Sequence, residues 1–387
     1  MKIVVVCDSF KESLSSLAVA EEIEAGFRAV FPALECISLP VADGGEGTVD
    51  ALVQATAGQF LHHDVTGPMG ERVRARYGVL GDGRTAVIEM AAAAGLDLVP
   101  RAARDPRIAT TFGLGQLILH ALDGGCRRFI LGLGGSATND GGAGMAQALG
   151  VRLLDENGQE LPRGGAALQA LARIDASALD SRLAESVFEI ACDVDNPLTG
   201  EHGASAVFGP QKGATPDMVA LLDTALVRFG QALETHGGVS ILTAPGAGAA
   251  GGLGAGASVF LGATLRPGVD IVLDALALDT ALVGADLVIT GEGRLDSQTV
   301  RGKTPVGVAR LARQHGVPVI ALAGALGAGY EAVYEHGISA VFSVVNRPCL
   351  LEEALAEARP NIRGTARNIA ALLALSASAS ASTARVY

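Results

Sequence analysis

Residues 2–31 read KIVVVCDSFKESLSSLAVAEEIEAGFRAVF, and this stretch decides the kind of fold. Lys2–Val6 is a short, almost entirely apolar run, which predicts a buried strand. Residues 14–31 then carry apolar side chains at helical spacing. A second strand at 36–39 and a second helix at 48–57 follow. Strands alternating with helices in this way predict a parallel sheet with helices packed on its faces.

The pattern changes after about residue 60, where clusters of turn residues separate extended stretches. Residues 65–70 and 81–83 are such clusters and predict hairpins. Residues 129–133 and 187–192 predict further buried strands. This part of the chain should therefore contain a mixed sheet.

Alternation of strands and helices returns near Asp286. We therefore predict an α/β protein of two domains, with the active site in the cleft between them. A Rossmann-like, parallel-sheet domain is formed by residues 1–62 and 283–375, and a mixed α/β domain, residues 63–282, is inserted into it. The Ser/Ala-rich residues 376–387 are expected to form a disordered tail.

Composition narrows the range of functions. Among 387 residues, 29 Lys and Arg stand against 41 Asp and Glu, a net charge of −12. That balance argues against general binding to nucleic acid or acidic membranes. The uncharged stretch 237–265 is too rich in glycine for a membrane span. Five scattered cysteines without a CxxC pair, and no secretory signal pattern, predict a reduced, cytoplasmic protein.

Polar loops rich in glycine follow several predicted strands, where open α/β sheets bind ligands. The first contains Asp8, Ser9 and Lys11, and its lysine could neutralise a phosphoryl or carboxylate group. Plain helix capping is the alternative explanation. The second contains Asp43 and Glu46 beside glycines, which suits contact with a metal or a hydroxyl. A turn with acidic residues at a helix start explains it equally well.

The third loop spans residues 132–142 and carries the strongest signal. Several backbone N–H groups at a helix N-terminus, combined with small polar side chains, form a site suited to an anion. The candidate binding residues in it are Gly134, Gly135, Ser136, Thr138, Asn139 and Asp140.

The fourth loop contains Asp193, Asp195 and Asn196, directly after a predicted buried strand. Two carboxylates and an amide in this position could coordinate Mg²⁺ or orient a substrate hydroxyl. An Asx-turn before Pro197 is the alternative. Nearby, Lys212 lies in a tight Gly-Pro-Gln-Lys-Gly loop and adds a cation.

The fifth loop, at residues 290–305, combines carboxylates with cations. It contains Glu292, Arg294 and Asp296, and Lys303 follows at a predicted helix start. A Gly-Lys pair at a helix N-terminus is well suited to binding phosphate.

Taken together and in this order, these loops resemble the bacterial type I glycerate kinase family over nearly the whole chain, from Lys2 to about Leu373. Glu12 departs from the family pattern, since a small residue, often Gly, is usual after that lysine. The resemblance rests on residues 8–11, 42–47, 132–142, 192–198, 209–213 and 290–303.

The resemblance implies ATP-dependent phosphorylation of D-glycerate with Mg²⁺, and it favours 2-phosphoglycerate as the product. Phosphoryl transfer needs in-line positioning of the hydroxyl and neutralisation of the moving charge. We expect Lys11 and Lys303 to bind phosphate and Asp193 to orient or deprotonate the glycerate hydroxyl. Glu292 and Asp296 are the predicted Mg²⁺ ligands. ATP and glycerate are the expected partners of a monomer or homodimer.

Two other functions remain open at this point. A nicotinamide-dependent oxidoreductase acting on a hydroxy acid is supported only by the glycine run at 248–256, which is similar to a dinucleotide loop. A non-catalytic protein that binds small anions would also use such loops. The density of lysines and carboxylates at several strand ends favours the kinase.

Overall fold

The computed structural model describes residues 1–41, 47–300 and 302–383. The strands are β1 (Lys2–Cys7), β2 (Glu35–Ser38), β3 (Gln59–Thr66), β4 (Arg72–Val79), β5 (Thr85–Glu89), β6 (Arg128–Gly132), β7 (Arg152–Leu154), β8 (Arg173–Asp175), β9 (Val187–Ala191), β10 (Thr264–Arg266), β11 (Leu287–Leu295), β12 (Val319–Leu326) and β13 (Ala340–Ser343). The α-helices are α1 (Ser16–Arg28), α2 (Thr48–Ala55), α3 (Ala91–Ala94), α4 (Phe112–Asp123), α5 (Ala143–Ala148), α6 (Ala204–Phe208), α7 (Pro216–Gly237), α8 (Ala249–Phe260), α9 (Gly268–Ala275), α10 (Leu278–Leu282), α11 (Thr304–Gln314), α12 (Leu351–Ala356) and α13 (Ala358–Thr383).

The chain separates into two compact units. The first, called the terminal unit here, comprises Met1–Asp43 and Val272–Tyr387, and the second, the central unit, comprises Gly44–Ile271. The predicted α/β class and the two-part organisation, with both chain ends in one part, are confirmed.

The terminal unit is built on a parallel sheet in the order β13-β12-β11-β1-β2. Alternate residues of β1 point to opposite faces, and both faces are buried. On one face Ile3 and Val5 pack with Ile23 of α1 and Ile362 of α13. Helix α11 packs against β1, β11 and β12. Because β1 has β2 on one side and β11 on the other, the connections reverse direction at β1, and such a switch point is where open sheets bind ligands.

The central unit contains the mixed sheet that the turn clusters predict. Its order is β10-β9-β6-β5-β4-β3, in which β10, β9, β6 and β5 are parallel, while β4 is antiparallel to both β5 and β3. A core of strand and helix side chains, including Ile88, Leu131 and Leu117, lies against this sheet. Strands β7 and β8 form a separate small sheet.

The division between the units differs from the boundaries expected at residues 62/63 and 282/283. Strand β3 pairs along its whole length with β4, and α2 packs on β4 and β5, so both join the central unit. Helix α13 continues to Thr383, into the segment 376–387 expected to be disordered. Residues Tyr330–Tyr334 form a short 3₁₀ helix.

One predicted loop is largely strand. The glycine-rich residues 291–293 were expected to leave the sheet after Thr290, but β11 runs on to Leu295 and pairs with β12 there. Gly291 permits this because a Cβ at that position would lie 2.2 Å from the Leu322 carbonyl oxygen. The side chain of Glu292 is therefore carried by a rigid strand. No helix in the described part of the chain is long and apolar enough to cross a membrane.

Candidate active site

The switch point of the terminal unit brings together Asp8, at the end of β1, and Thr304, at the start of α11. The Asp8 backbone N–H donates to the Gly291 carbonyl at 2.9 Å, which ties the end of β1 to β11. One Asp8 carboxylate oxygen accepts from the Ser9 N–H at 2.6 Å, and the other accepts from the Thr304 hydroxyl at 3.4 Å. Asp8 is thus held at the carboxyl edge of the sheet, beside a helix N-terminus that favours anions.

Lys11 follows in the same loop with an exposed side chain. The next residue, Glu12, has a positive φ of 64°, in the left-handed region that favours glycine. Glycine adopts this conformation without strain, whereas a side chain at this position opposes it. The loop keeps the shape with a glutamate, so Lys11 is presented to solvent at the strand end.

Glu292 forms the centre of a buried cluster at this edge. Its carboxylate accepts from the Thr299 hydroxyl at 2.7 Å and from the Lys303 ammonium at 3.2 Å. Burial, together with the nearby Asp8 carboxylate, raises the pKa of Glu292 above its ordinary range. Lys303 is the N-cap residue of α11, so its cation and the helix N-terminus lie together, as expected for a phosphate grip.

Asp296 has a different set of partners from Glu292. Its carboxylate pairs with Arg294 at 3.2 Å and accepts from the Gln298 N–H at 2.9 Å, an arrangement that shapes the turn after β11. Asp43 and Glu46 lie outside the described residues. Within the described ranges, no three His, Cys, Asp or Glu side chains gather into a metal-binding group.

In the central unit, the loop at 132–142 divides into an exposed part and a buried part. Gly134 and Gly135 are exposed and line two pockets. Each of the polar residues that follow is at most 7% exposed. Those buried residues, all expected to contact ligand, are Ser136, Thr138, Asn139 and Asp140.

Lys212 holds this loop from within the protein. The side chain is buried, and its ammonium donates to the Ser136 hydroxyl at 2.8 Å and to the Thr138 carbonyl at 2.7 Å. Burial lowers the pKa of Lys212 to about 7, and the neighbouring Asp140 opposes that shift. The geometry thus makes Lys212 a support of the loop, whereas the sequence suggested an exposed cation for the substrate.

Asp140 and Asn139 anchor the same loop to neighbouring elements. The Asp140 carboxylate accepts from both the N–H and the hydroxyl of Thr111, at 2.8 and 2.9 Å, and burial raises its pKa. The Asn139 amide donates to the Ser205 hydroxyl at 2.9 Å. Two buried atoms in the loop, Thr138 Oγ1 and Asn139 Oδ1, have no hydrogen-bond partner within the described ranges.

Asp193 lines a pocket of about 240 Å³ together with Gly134, Gly135 and Cys192. It is exposed, and one of its carboxylate oxygens accepts from the Gly268 N–H at 3.0 Å. The Asn196 amide instead donates to the His202 carbonyl at 2.9 Å and closes the loop between these two residues. Of the polar residues predicted in this loop, Asp193 lines the pocket, and Asp195 and Asn196 do not.

A second pocket, of about 440 Å³, is also lined by Gly134 and Gly135. It is lined by Arg74, Arg76 and Glu89, which the sequence analysis did not single out. The alternation of charged and apolar residues in β4 was the available signal, because it places the arginines of that strand on one face.

The glycine run at 248–256 serves packing. A Cβ at Gly251 would lie 2.0 Å from the Thr138 carbonyl oxygen, and one at Gly256 would lie 2.3 Å from the Gly141 carbonyl oxygen. These glycines let α8 approach the 132–142 loop, and Ala250 beside them has a positive φ of 53°. The one feature that favoured a dinucleotide-binding oxidoreductase is thereby accounted for by close backbone contact.

A sequence model described as the glycerate kinase family matches residues 3–374. The chain belongs to the glycerate kinase family. It is 57% identical over 375 residues to the glycerate kinase of Bacillus subtilis (strain 168), covering 97% of this chain and 98% of that protein. It is 53% identical to the glycerate 2-kinase of Escherichia coli (strain K12), with the same two coverages.

The fold agrees with that membership. A crystal structure from Salmonella typhimurium LT2 that carries the name glycerate kinase 2 superposes with a TM-score of 0.89, at 56% sequence identity. The match covers 98% of this chain and 99% of that one. The family resemblance and the enzyme class, glycerate kinase, are therefore confirmed, and with them the expectation that the partners are small molecules.

Proposed function

We propose that this glycerate kinase family member transfers the γ-phosphoryl group of ATP to D-glycerate, with Mg²⁺, and forms 2-phosphoglycerate. The observation that carries the proposal is the cluster of Asp8, Glu292 and Lys303 at the N-terminus of α11. A cation, a helix N-terminus and carboxylates in one place suit a phosphate chain and its metal. The name of the Escherichia coli relative, glycerate 2-kinase, supports the choice of product.

In the reaction, an oxygen of the glycerate 2-hydroxyl forms a bond to the γ-phosphorus, and the bond from that phosphorus to the β–γ bridging oxygen breaks. ADP leaves with the electron pair of the broken bond. We assign to Asp193 the task of orienting the hydroxyl and accepting its proton, because an exposed carboxylate in a pocket can do both. Lys11 and Lys303 neutralise charge on the phosphoryl oxygens.

Mg²⁺ would be held by Glu292 together with Asp8. Burial chiefly, and the nearby Asp8 carboxylate to a smaller extent, raises the pKa of Glu292, and a divalent cation would stabilise the ionised form of such a carboxylate. Asp296 is a poorer ligand, since Arg294 and a backbone N–H already engage it. When bound, Mg²⁺ neutralises phosphate charge, and it needs only one or two protein carboxylates besides phosphate oxygens and water.

The amides of Gly134 and Gly135 are the part of the 132–142 loop that we assign to ligand binding, because they line both pockets. The buried side chains behind them keep this turn in place. Preorganised N–H groups of this kind stabilise an anion without rearranging during the reaction.

The test is a coupled ADP-release assay on D-glycerate, with phosphorus NMR of the product to identify the esterified oxygen. We expect ADP formation that requires both glycerate and Mg²⁺, and a phosphoryl group on the 2-oxygen. Lys303→Met and Asp193→Asn should each lower kcat by roughly 10²- to 10³-fold. Asp195→Asn makes the same charge change two residues away and should leave kcat within about twofold of wild type. Absence of glycerate-dependent ADP release would refute the function, and near-normal kcat in a variant would reject that residue's role.

A further inference from the structure

The charged face of β4 differs from its core face. Arg72, Arg74 and Arg76 alternate with Val73, Ala75 and Tyr77, and alternate residues of a strand lie on opposite faces. The three arginines therefore project from one side of the sheet. Because β4 is antiparallel to β5, its first half lies at the carboxyl end of β5, the edge at which parallel strands present ligand-binding residues.

Two of these three arginines form ion pairs with carboxylates. Arg72 pairs with Asp64 at 2.6 Å. Arg76 makes two hydrogen bonds to Asp50, at 3.1 and 2.5 Å, and lies over the Phe60 ring.

Arg74 is different. It lies directly opposite Asp64 in the β3–β4 register, yet Asp64 is taken by Arg72. Within the described part of the chain, the side chain of Arg74 has no hydrogen bond and no ion pair, and it lines the pocket of about 440 Å³. An unpaired guanidinium facing a pocket is a site for an anion, and its planar fork suits a carboxylate in particular.

The other groups of this pocket indicate which anion. Glu89 and Asp97 also line it. Glu89 accepts from the Val49 N–H at 3.3 Å at the start of α2, and burial raises its pKa. Two acidic side chains would repel a triphosphate, which carries several negative charges, but they accept hydrogen bonds from hydroxyl groups. One free arginine with two acidic neighbours therefore fits a monoanion that carries hydroxyls.

We propose that Arg74 binds the carboxylate of the three-carbon hydroxy acid, and that it sets the preference of the enzyme for an acid over a neutral polyol. This inference rests on the proposed function. The pocket of Arg74 and the pocket of Asp193 share Gly134 and Gly135. Strand β4, which carries Arg74, lies three strand spacings from β9, which precedes Asp193, a distance of roughly 14 Å between the two backbones. The long arginine side chain can span part of that distance. The acid can thus keep its carboxylate at Arg74 and direct its hydroxyls toward the shared turn.

The experiment compares Arg74→Met and Arg74→Lys with the matched control Arg84→Met, which removes an exposed arginine of the same unit outside the pocket and leaves the Arg72–Asp64 pair intact. Steady-state kinetics give KM for D-glycerate and for ATP, with glycerol as the neutral analogue. In Arg74→Met we expect KM for glycerate to rise roughly 10²-fold, with KM for ATP within about twofold of wild type. Arg74→Lys should recover part of the loss, since it restores charge without the fork. The ratio of kcat/KM for glycerate over glycerol should fall by a similar factor, while Arg84→Met changes none of these values.

Each other outcome overturns the assignment. A rise in KM for ATP alone would mean that Arg74 holds the nucleotide, and unchanged kinetics would mean that it holds no substrate. Calorimetric titration of the wild type and Arg74→Met with D-glycerate alone separates this inference from the proposed function. Weaker glycerate binding in the variant, with no ADP formation by the wild type, would refute the kinase and keep the site. Equal glycerate affinity in an active enzyme would refute the site alone.

Discussion

Replacing Lys212 by methionine tests whether a buried cation supports the ligand-binding turn. Methionine keeps the length of the side chain and its packing, so the change removes the amine and little else. The wild-type ammonium makes two hydrogen bonds, at 2.8 Å to the Ser136 hydroxyl and 2.7 Å to the Thr138 carbonyl. At about 1 to 1.5 kcal/mol for each net bond, we expect Lys212→Met to lower the free energy of unfolding by about 2–3 kcal/mol at neutral pH.

The kinetic effect should be larger than this loss of stability suggests. Ser136 directly follows Gly134 and Gly135, which line both pockets, so a released loop moves the amides that we assign to anion binding. A displacement of about 1 Å can cost ~10²-fold in rate. We therefore expect kcat to fall roughly 10²-fold in a protein that is still folded. Thr85→Val is the control, because it removes a buried hydrogen bond to Asp82 at the start of β5 and should leave kcat unchanged.

The pH dependence gives an independent measurement. The folded-state pKa of Lys212 is lowered to about 7, whereas a lysine in the unfolded chain titrates near 10.4. Between these values the unfolded chain binds more protons than the folded one, so this group adds stability as pH rises from about 7 to about 10. Lys212→Met lacks the group. The difference in unfolding free energy between wild type and variant should therefore widen over that range, by on the order of 4 kcal/mol.

Urea unfolding followed by circular dichroism at several pH values measures this difference, and the ADP-release assay measures kcat. A difference that stays constant or narrows with rising pH would refute the buried, weakly basic state of Lys212. Retention of full kcat by a destabilised Lys212→Met would refute its role in holding the turn.

Three further changes test separate parts of the fold. Glu12→Gly should raise the free energy of unfolding by up to about 1 kcal/mol, because it relieves a positive φ of 64°, and chemical denaturation measures it. His63 stacks on His120 with ring centroids 3.9 Å apart, and burial lowers the pKa of His63 below 6.5. The protein should therefore lose stability as pH falls below about 6.5. In His63→Gln, melting temperatures measured over a series of pH values should show a smaller loss. The Glu22 side chain is 3% exposed, and its carboxylate accepts from Arg363 at 2.7 Å. Glu22→Gln should therefore lower the free energy of unfolding by about 2–3 kcal/mol, which chemical denaturation measures. Three results would contradict these arguments. They are a lower free energy of unfolding in Glu12→Gly, an unchanged pH dependence of the melting temperature in His63→Gln, and an unchanged free energy of unfolding in Glu22→Gln.

Much of the architecture could be predicted from local pattern. The apolar run of β1 and the helical spacing of α1 predict a parallel sheet, and the turn clusters at 65–70 and 81–83 predict the hairpins that make the central sheet mixed. These features depend on residues close together in the chain, and a buried strand or an amphipathic helix leaves a periodic record there. The motif loops, taken in order, were enough to indicate the family.

The roles of the polar residues within those loops could not be predicted in the same way. The sequence suggested that Lys212, Thr138 and Asp140 contact ligand, but all three are buried and hold the loop from behind. Glu292 was expected on a loop and lies on a strand. Arg74 belongs to no recognisable sequence motif. It stands out only in the structure, where Arg72 pairs with Asp64 and Arg76 pairs with Asp50.

The amino-acid order by itself thus determined the alternation of strands and helices, the division into two parts and the chemical types gathered at the strand ends. The tertiary structure alone decided which of those groups face a pocket and which are buried. The physical reason is that a side chain's exposure depends on partners far away in the chain. Lys212 meets Ser136 across 76 positions, and no local periodicity records a contact of that kind.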